Sequence, residues 1–161
     1  MKDTFIRSCE HWSETSRNEM ENFYALASID YKHLAERFDW KEWLEIHQTN
    51  IGGRRLKILD VATGSGRTLK QLRGAFPKEK IIGLDLSDSY LKEASRHISS
   101  LEGDLIELIK GNAEELPFED NSFQGVSCVY LFHELPRTVR ENVLKEFIRI
   151  LEPGGTLVLA D

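Results

Sequence analysis

The sequence predicts an α/β fold with a doubly wound, mostly parallel sheet that follows a helical N-terminal arm. From residue 57 onward, short apolar segments alternate with polar helical segments, which is typical of strands buried on both faces of a parallel sheet. A glycine-rich turn follows the first of these strands and opens the first helix. The 161 residues are enough for one domain with its own core.

The chain is expected to divide, at a pair of adjacent glycines, into a helical arm at residues 1–52 and an α/β domain at residues 53–161. In the arm, apolar residues such as Phe23, Leu26 and Ile29 recur at helical spacing rather than in strict alternation. This pattern predicts two or three helices before the sheet begins.

Strands and helices alternate in the predicted α/β domain. Strands are expected at residues 57–61, 81–85, 105–109, 125–132 and 156–160, and helices at residues 68–76, 89–101 and 137–151. Pro77 supports the end of the first helix, Ser87 or Asp88 can cap the second, and turn residues 152–155 are expected to separate the last helix from the last strand. This order implies right-handed crossovers.

The last predicted strand ends at residue 160, beside the end of the sequence. A parallel sheet that stops there exposes an edge, and exposed edges pair with other chains. We therefore expect either a truncated sheet or a second copy of the chain that covers this edge in a homodimer.

Composition argues against several classes of protein. A net charge of -6 and a pI of about 5.4 disfavour a nucleic-acid-binding surface, which needs clustered lysine and arginine. Cys9 and Cys128 are too far apart in sequence to indicate a disulfide framework or metal ligands, so no metal is predicted. No apolar stretch approaches the ~20 residues of a spanning helix, and no signal peptide is recognisable, which predicts a cytoplasmic protein without a membrane span.

The most informative local pattern is ILDVATGSG at residues 58–66, a buried strand that runs into a glycine turn. Gly64 and Gly66 allow backbone conformations that are closed to other residues and let a ligand approach the main chain. Ligands of open parallel sheets bind outside the carboxyl ends of the strands, which predicts a site at residues 60–66. Leu69 occupies the position where a dinucleotide motif has a third small residue, and this weighs against a nicotinamide or flavin cofactor.

Polar residues follow the next two predicted strands. Asp85 lies about 20 residues after the glycine turn, where ribose-binding carboxylates are found. Its alternative role is to cap the following helix, and the preceding glycine turn favours ribose binding. Asn112 has an amide suited to an adenine edge, or it forms an Asx-turn, and chemistry alone does not choose between these roles.

Five motifs in order carry a resemblance to a known family: ILDVATGSG, IIGLDLS, GNAEELPFEDNSF, VYLFHELP and LEPGGTLVLAD. Together they resemble the class I S-adenosylmethionine-dependent methyltransferases, most nearly the small-molecule branch similar to ubiquinone and menaquinone biosynthesis methyltransferases. The resemblance implies a Rossmann-like methyltransferase fold, S-adenosylmethionine as cofactor, S-adenosylhomocysteine as product and a small-molecule methyl acceptor. It also implies that the last two strands usual in the family are lacking here.

The resemblance assigns cofactor contacts residue by residue. The expected set is Asp60, Ala62, Thr63, Gly64, Gly66, Asp85, Leu86, Asn112, Ala113 and Leu131. In the family, the first motif contacts the methionyl part of the cofactor, the residue at position 85 contacts the ribose, and residues 112 and 113 contact the adenine. The chain departs from the family at Asn112 and Gln124, where Asp is more frequent.

His133 and the N-terminal arm are the candidates for contact with the acceptor. His133 lies in the loop that, in the family, ends beside the transferable methyl group, and an imidazole can act as a base near neutral pH. A role in shaping the pocket is favoured over catalysis, because methyl transfer from a sulfonium needs chiefly an aligned nucleophile and a dry pocket. The arm is expected to form a lid, with Tyr24 and Tyr31 as substrate contacts.

The favoured functional hypothesis is therefore methyl transfer from S-adenosylmethionine to a small molecule by in-line displacement. One alternative is a truncated cofactor-binding domain with little or no catalysis unless a partner completes it. A nicotinamide-dependent oxidoreductase is a less favoured alternative, because Leu69 and the later motifs weigh against it.

Overall fold

The structure is a computed structural model that describes residues 55–99 and 105–160. The elements in this part of the chain are β1 (Lys57–Val61), α1 (Arg67–Ala75), β2 (Lys80–Asp85), α2 (Asp88–Ile98), β3 (Ile106–Lys110), β4 (Phe123–Val129), a 3₁₀-helix (Phe132–Glu134), α3 (Arg137–Ile150) and β5 (Leu151–Ala160). The predicted arm at residues 1–52 lies outside the described residues. Among the described helices, none is long and apolar enough to cross a membrane.

The described strands form one sheet in the order β3-β2-β1-β4-β5. Every pairing between neighbours is parallel. The strand order reverses at β1, because β2 and β3 continue the sheet on one side of it and β4 and β5 on the other. This confirms the predicted doubly wound α/β fold and places a crevice at the carboxyl ends of β1 and β4, where such folds bind ligands.

The core lies on both faces of the central strands. β1, β2 and β4 are almost continuously buried, as the unbroken apolar runs of a parallel sheet require. The helices add their apolar stripes, which include Leu69 and Leu72 of α1 and Val143 and Phe147 of α3. Burial of these faces supplies the main favourable free energy of folding.

The carboxyl end of β4 differs from the prediction of a strand at residues 125–132. The strand ends at Val129, and Phe132 belongs to the 3₁₀-helix, where its ring lies 6.3 Å from the ring of Phe147. The cause lies at Tyr130, whose φ of +57° is incompatible with an extended strand. The apolar run therefore continues three residues beyond the end of the strand.

The prediction that residues 152–155 precede the last strand was also wrong, because β5 already begins at Leu151. Leu151 pairs with Phe123, whereas Thr156 pairs with Gly125, so the register shifts between these two pairs. Gly154, with a φ of +85°, makes this irregularity possible. The turn residues are thus contained within the strand.

Two polar side chains near the sheet have positions that the sequence left open. Ser87 is the N-cap of α2, and Asp88 forms an ion pair with Lys110 of β3. The Gln124 amide accepts a hydrogen bond from the Lys57 N–H at 2.7 Å, and it donates one to the Glu152 carboxylate at 2.8 Å. Position 124 therefore ties β1, β4 and β5 together at their amino ends.

Close packing between α1 and β2 depends on Gly83. A Cβ at this position would lie 2.8 Å from Leu69 Cδ1 and 3.0 Å from Leu108 Cδ2. In a dinucleotide motif, a small residue on the helix allows the helix and the strand to pack closely. Here the helix carries the large, fully buried Leu69, and the small residue is Gly83 on the strand.

We expect Gly83→Ala to destabilise the chain by about 1–3 kcal/mol, because the added methyl group overpacks the core. Gly74→Ala is the matched control, because no heavy atom lies within 4 Å of a Cβ there. In the helix α1 that substitution should stabilise by about 0.5–1 kcal/mol. Urea unfolding of the two variants measures both effects, and equal stabilities would contradict the packing explanation.

Candidate functional site

The loop from Ala62 to Gly66 joins β1 to α1 with left-handed backbone conformations. The φ angles are +57° at Ala62, +55° at Gly64 and +82° at Gly66. Such a conformation costs a residue with a Cβ about 1–2 kcal/mol, so Ala62 is held there by its surroundings. The Thr63 N–H donates to the Leu84 carbonyl at 3.1 Å, and the Gly66 N–H donates to the Thr63 carbonyl at 2.9 Å.

Asp85 connects the loops that follow three strands. Its Oδ2 accepts a hydrogen bond from the Gly64 N–H at 2.8 Å, and its Oδ1 accepts one from the Ser87 N–H at 2.9 Å. Its backbone carbonyl accepts from the Gly111 N–H at 3.0 Å. Leu86 lies half-buried next to it. Asp85 thus fixes the carboxyl ends of β1, β2 and β3 relative to one another.

The protonation of Asp85 is set by opposing effects. Burial raises the pKa of its carboxyl group, and hydrogen bonds, chiefly from the backbone N–H groups of Ser87 and Gly64, offset only part of this rise. An ionised carboxylate accepts about four hydrogen bonds, so two backbone bonds leave acceptor capacity for a ligand. The carboxylate is therefore held in one orientation and can still bind hydroxyl groups.

Asp60 lies beneath the loop and links β1 to β4. Its Oδ1 accepts a hydrogen bond from the Ser127 hydroxyl and its Oδ2 accepts one from the Thr63 hydroxyl, both at 2.6 Å. Burial raises the pKa of Asp60 to about 7, which the two hydroxyl groups oppose and the charge of Asp85 reinforces. Asp60 therefore changes its charge in the neutral range.

Ser127 is a site residue that sequence reasoning missed. It is buried, and it pairs in register with Asp60 across the β1–β4 ladder. A single polar residue within the apolar strand segment VSCV was the available signal, because a buried hydroxyl group needs a partner. The partner itself became visible only once the strand order was known.

Asn112 forms the Asx-turn that was one of its two predicted roles. Its Oδ1 accepts from the Glu114 N–H, and its backbone carbonyl accepts from the Glu115 N–H, both at 3.0 Å. Asn112 and Ala113 are half-buried beyond the carboxyl end of β3. The turn uses one lone pair of the side-chain oxygen and therefore does not exclude a second role for the amide.

The loop after β4 places His133 near the protein surface. The side chain of His133 is 52% exposed, and its Nε2 lies 3.3 Å from Glu134 Oε1. Its ring meets that of Tyr130 edge to face, with centroids 6.3 Å apart. Half-buried Leu131 lies between these two residues and is the N-cap of the 3₁₀-helix.

Tyr130 is a second residue that sequence reasoning missed. A left-handed conformation is rare for a large aromatic side chain, and strain of this kind clusters at functional sites. Its N–H donates to the Ala160 carbonyl at 2.8 Å, which continues the pairing between β4 and β5. No local sequence pattern indicates the positive φ.

The structure thus links the first three motifs at Asp85, through Gly64 of the first motif and Gly111 of the third. Tyr24 and Tyr31 lie outside the described residues. Within residues 55–99 and 105–160, no group of three or more His, Cys, Asp or Glu side chains could hold a metal ion. The arrangement provides a preformed loop, an oriented carboxylate and a buried carboxyl group at one crevice.

Comparison with known proteins gives consistent matches. Residues 58–155 match the family model described as Methyltransferase domain. The chain is 35% identical over 128 residues to the demethylmenaquinone methyltransferase of Bacillus cereus, covering 79% of this chain and 51% of that protein. The chain therefore spans about half the length of the curated relatives it matches.

Solved structures share the fold. The PH0226 protein from Pyrococcus horikoshii matches with a TM-score of 0.60 and 29% identity, covering 73% of this chain and 54% of that one. A SAM-dependent methyltransferase from Methanosarcina mazei matches with a TM-score of 0.57 and 26% identity, covering 65% of this chain and 51% of that one.

Proposed function

The chain belongs to the methyltransferase domain family, and from this premise we propose that it binds S-adenosylmethionine and transfers the methyl group to a small molecule. The observation that carries the proposal is the position of Asp85. Its carboxylate is oriented by the Gly64 and Ser87 N–H groups at the carboxyl ends of β1 and β2. Ribose-binding carboxylates of this fold class occupy that position.

The chemistry of the crevice fits the cofactor. Asp85 has remaining acceptor capacity for two neighbouring ribose hydroxyl groups. Ionised Asp85 supplies negative charge close to the glycine loop, and Asp60 adds to it once the pH exceeds its pKa of about 7. Negative charge suits a ligand that carries a sulfonium and an ammonium group. We assign the methionyl part to the loop at Ala62 to Gly66 and the adenine to the turn at Asn112 and Ala113. Leu86 and Leu131 complete the set of proposed contacts.

When bound, S-adenosylmethionine supplies a methyl group that is already activated by the positively charged sulfur. The side chains of this protein then need only to bind, align the acceptor for in-line displacement and exclude water. His133 is half-exposed beside Glu134, which favours a role at the mouth of the pocket over that of a general base. Tyr24 and Tyr31 remain the proposed acceptor contacts from the arm.

A small quinone-like acceptor is the proposed substrate class. It is supported by the curated relatives, which are named demethylmenaquinone methyltransferases. The net charge of -6 disfavours a nucleic-acid acceptor. A cytoplasmic location and a homodimer through β5 stay proposals. The dimer is supported by the apolar side chain of Leu159 on β5, which is 43% exposed.

Calorimetric titration of the full chain with S-adenosylmethionine, S-adenosylhomocysteine and NAD tests the cofactor assignment. We expect both adenosyl ligands to bind and NAD not to bind. Binding of NAD alone would contradict the proposal and favour the oxidoreductase alternative. A methyl-transfer assay with demethylmenaquinone follows, and cofactor binding without turnover would support the alternative of a domain that needs a partner for catalysis.

A further inference from the structure

The helix α2 packs directly on the glycine loop. Ala94 is fully buried there, and a Cβ on Gly66 would lie 3.1 Å from its Cα. One turn further along the helix, His97 Nδ1 lies 2.6 Å from the carbonyl oxygen of Ser65. A carbonyl oxygen only accepts hydrogen bonds, so Nδ1 carries the proton in this contact. The other ring nitrogen, Nε2, lies 3.5 Å from Glu93 Oε1.

This contact completes the hydrogen bonding of one peptide group. The Ser65 carbonyl and the Gly66 N–H belong to the same peptide plane. The carbonyl accepts from His97, and the N–H donates to the Thr63 carbonyl at 2.9 Å. One residue before Ser65, the Gly64 N–H donates to the Asp85 carboxylate.

The peptide plane needs such a contact because a glycine, Gly66, lies at one of its two ends. Gly66 is in a left-handed conformation with a φ of +82°, and glycine rotates between regions of φ and ψ at little cost. The Thr63 carbonyl holds the plane at one end only. A second anchor on the Ser65 carbonyl restricts rotation of the plane about ψ of Ser65 and φ of Gly66.

We infer that His97 is a positioning residue, which fixes the Ser65–Gly66 peptide of the glycine loop and thereby preorganises the loop for the cofactor. This inference rests on the proposed function for the identity of the ligand. His97 touches the loop and not the ligand, so it acts by reducing the ordering that binding requires. Its loss should therefore weaken affinity without unfolding the chain.

Three substitutions at His97 separate the two ring nitrogens. Asn places its amide nitrogen two bonds beyond Cβ, as Nδ1 is, and can still donate to the Ser65 carbonyl. Gln places its amide nitrogen one bond further, as Nε2 is, and retains a donor only towards Glu93. Ala removes both ring nitrogens. Arg96→Ala is the control on the same helix, because the Arg96 guanidinium pairs with Glu93 at 2.6 Å and not with the Ser65 carbonyl.

The first measurement is the dissociation constant for S-adenosylhomocysteine. We expect His97→Ala and His97→Gln to weaken binding roughly 3- to 10-fold, the range for loss of one hydrogen bond. His97→Asn and Arg96→Ala should stay within about twofold of the unsubstituted chain, with similar melting temperatures throughout. Equal affinity of His97→Ala and the unsubstituted chain would overturn the inference, as would rescue by Gln but not by Asn.

The second measurement needs no ligand and separates this inference from the proposed function. ¹⁵N chemical shifts of the His97 ring should show the proton on Nδ1, and exchange of the Gly66 amide should be faster in His97→Ala than in His97→Asn. A proton on Nε2 alone, or unchanged exchange, would overturn the inference. If the unsubstituted chain does not bind S-adenosylhomocysteine, the proposed function fails, and this second measurement still decides whether His97 holds the loop.

Discussion

Raising the pH from 4 to 8 is expected to remove about 4 kcal/mol of folding free energy through a single side chain, Asp60. Burial raises the pKa of Asp60 from 3.8 to about 7 in the folded chain. Each pKa unit between the folded and unfolded states corresponds to about 1.4 kcal/mol. The folded chain keeps a proton that the unfolded chain has released, so the contribution is complete below pH 3.8 and is lost as the pH rises through about 7.

Asp60→Asn tests this expectation because the amide stays neutral at every pH. The hydroxyl groups of Ser127 and Thr63 donate or accept, so they can satisfy the amide as they satisfy the acid. Urea unfolding of both chains from pH 4 to pH 8 gives the difference in folding free energy, which should shift in favour of the variant across this range. Asp88→Asn serves as the control, because Asp88 is exposed. Parallel pH profiles for Asp60→Asn and the unsubstituted chain would show that Asp60 does not titrate as expected.

Asp85→Ala is expected to weaken binding of S-adenosylhomocysteine by about 1–3 kcal/mol, which corresponds to roughly 5- to 150-fold in affinity. The substitution removes the proposed ribose acceptor. It also leaves the Gly64 and Ser87 N–H groups without their carboxylate partner. Folding stability should therefore fall as well, by about 1–3 kcal/mol, because part-buried donors are left unsatisfied.

Two further variants serve as comparisons for Asp85→Ala. Asp85→Asn keeps one acceptor oxygen but turns a donor towards the other backbone N–H, so we expect an intermediate loss of affinity. Asp88→Ala removes a carboxylate three positions away that pairs with Lys110, and it should leave affinity within about twofold because exposed ion pairs contribute little. Unchanged affinity in a folded Asp85→Ala variant would show that the ribose assignment is wrong.

Local sequence patterns were sufficient for most elements of the sheet. β1 occupies the predicted residues 57–61, because its apolar run is bounded by polar residues before it and a glycine turn after it. β2 and β3 lie within one residue of their predicted bounds for the same reason. β4 begins two residues before its predicted start and ends three residues before its predicted end, and β5 begins five residues early. The late end of the β4 prediction and the late start of the β5 prediction arise because Tyr130 and Gly154 depart from extended geometry where the two strands pair with each other.

The sequence by itself determined the fold class and the positions of the glycine turn and Asp85, because these follow from strand periodicity and from backbone conformations that few residues adopt. It also indicated the family, through the resemblance of five ordered motifs. Only the tertiary structure decided which side chains meet. The Asp60–Ser127 bond joins residues 67 apart, and the His97–Ser65 contact joins residues 32 apart. Such pairs depend on strand order, register and helix packing, which no local pattern encodes.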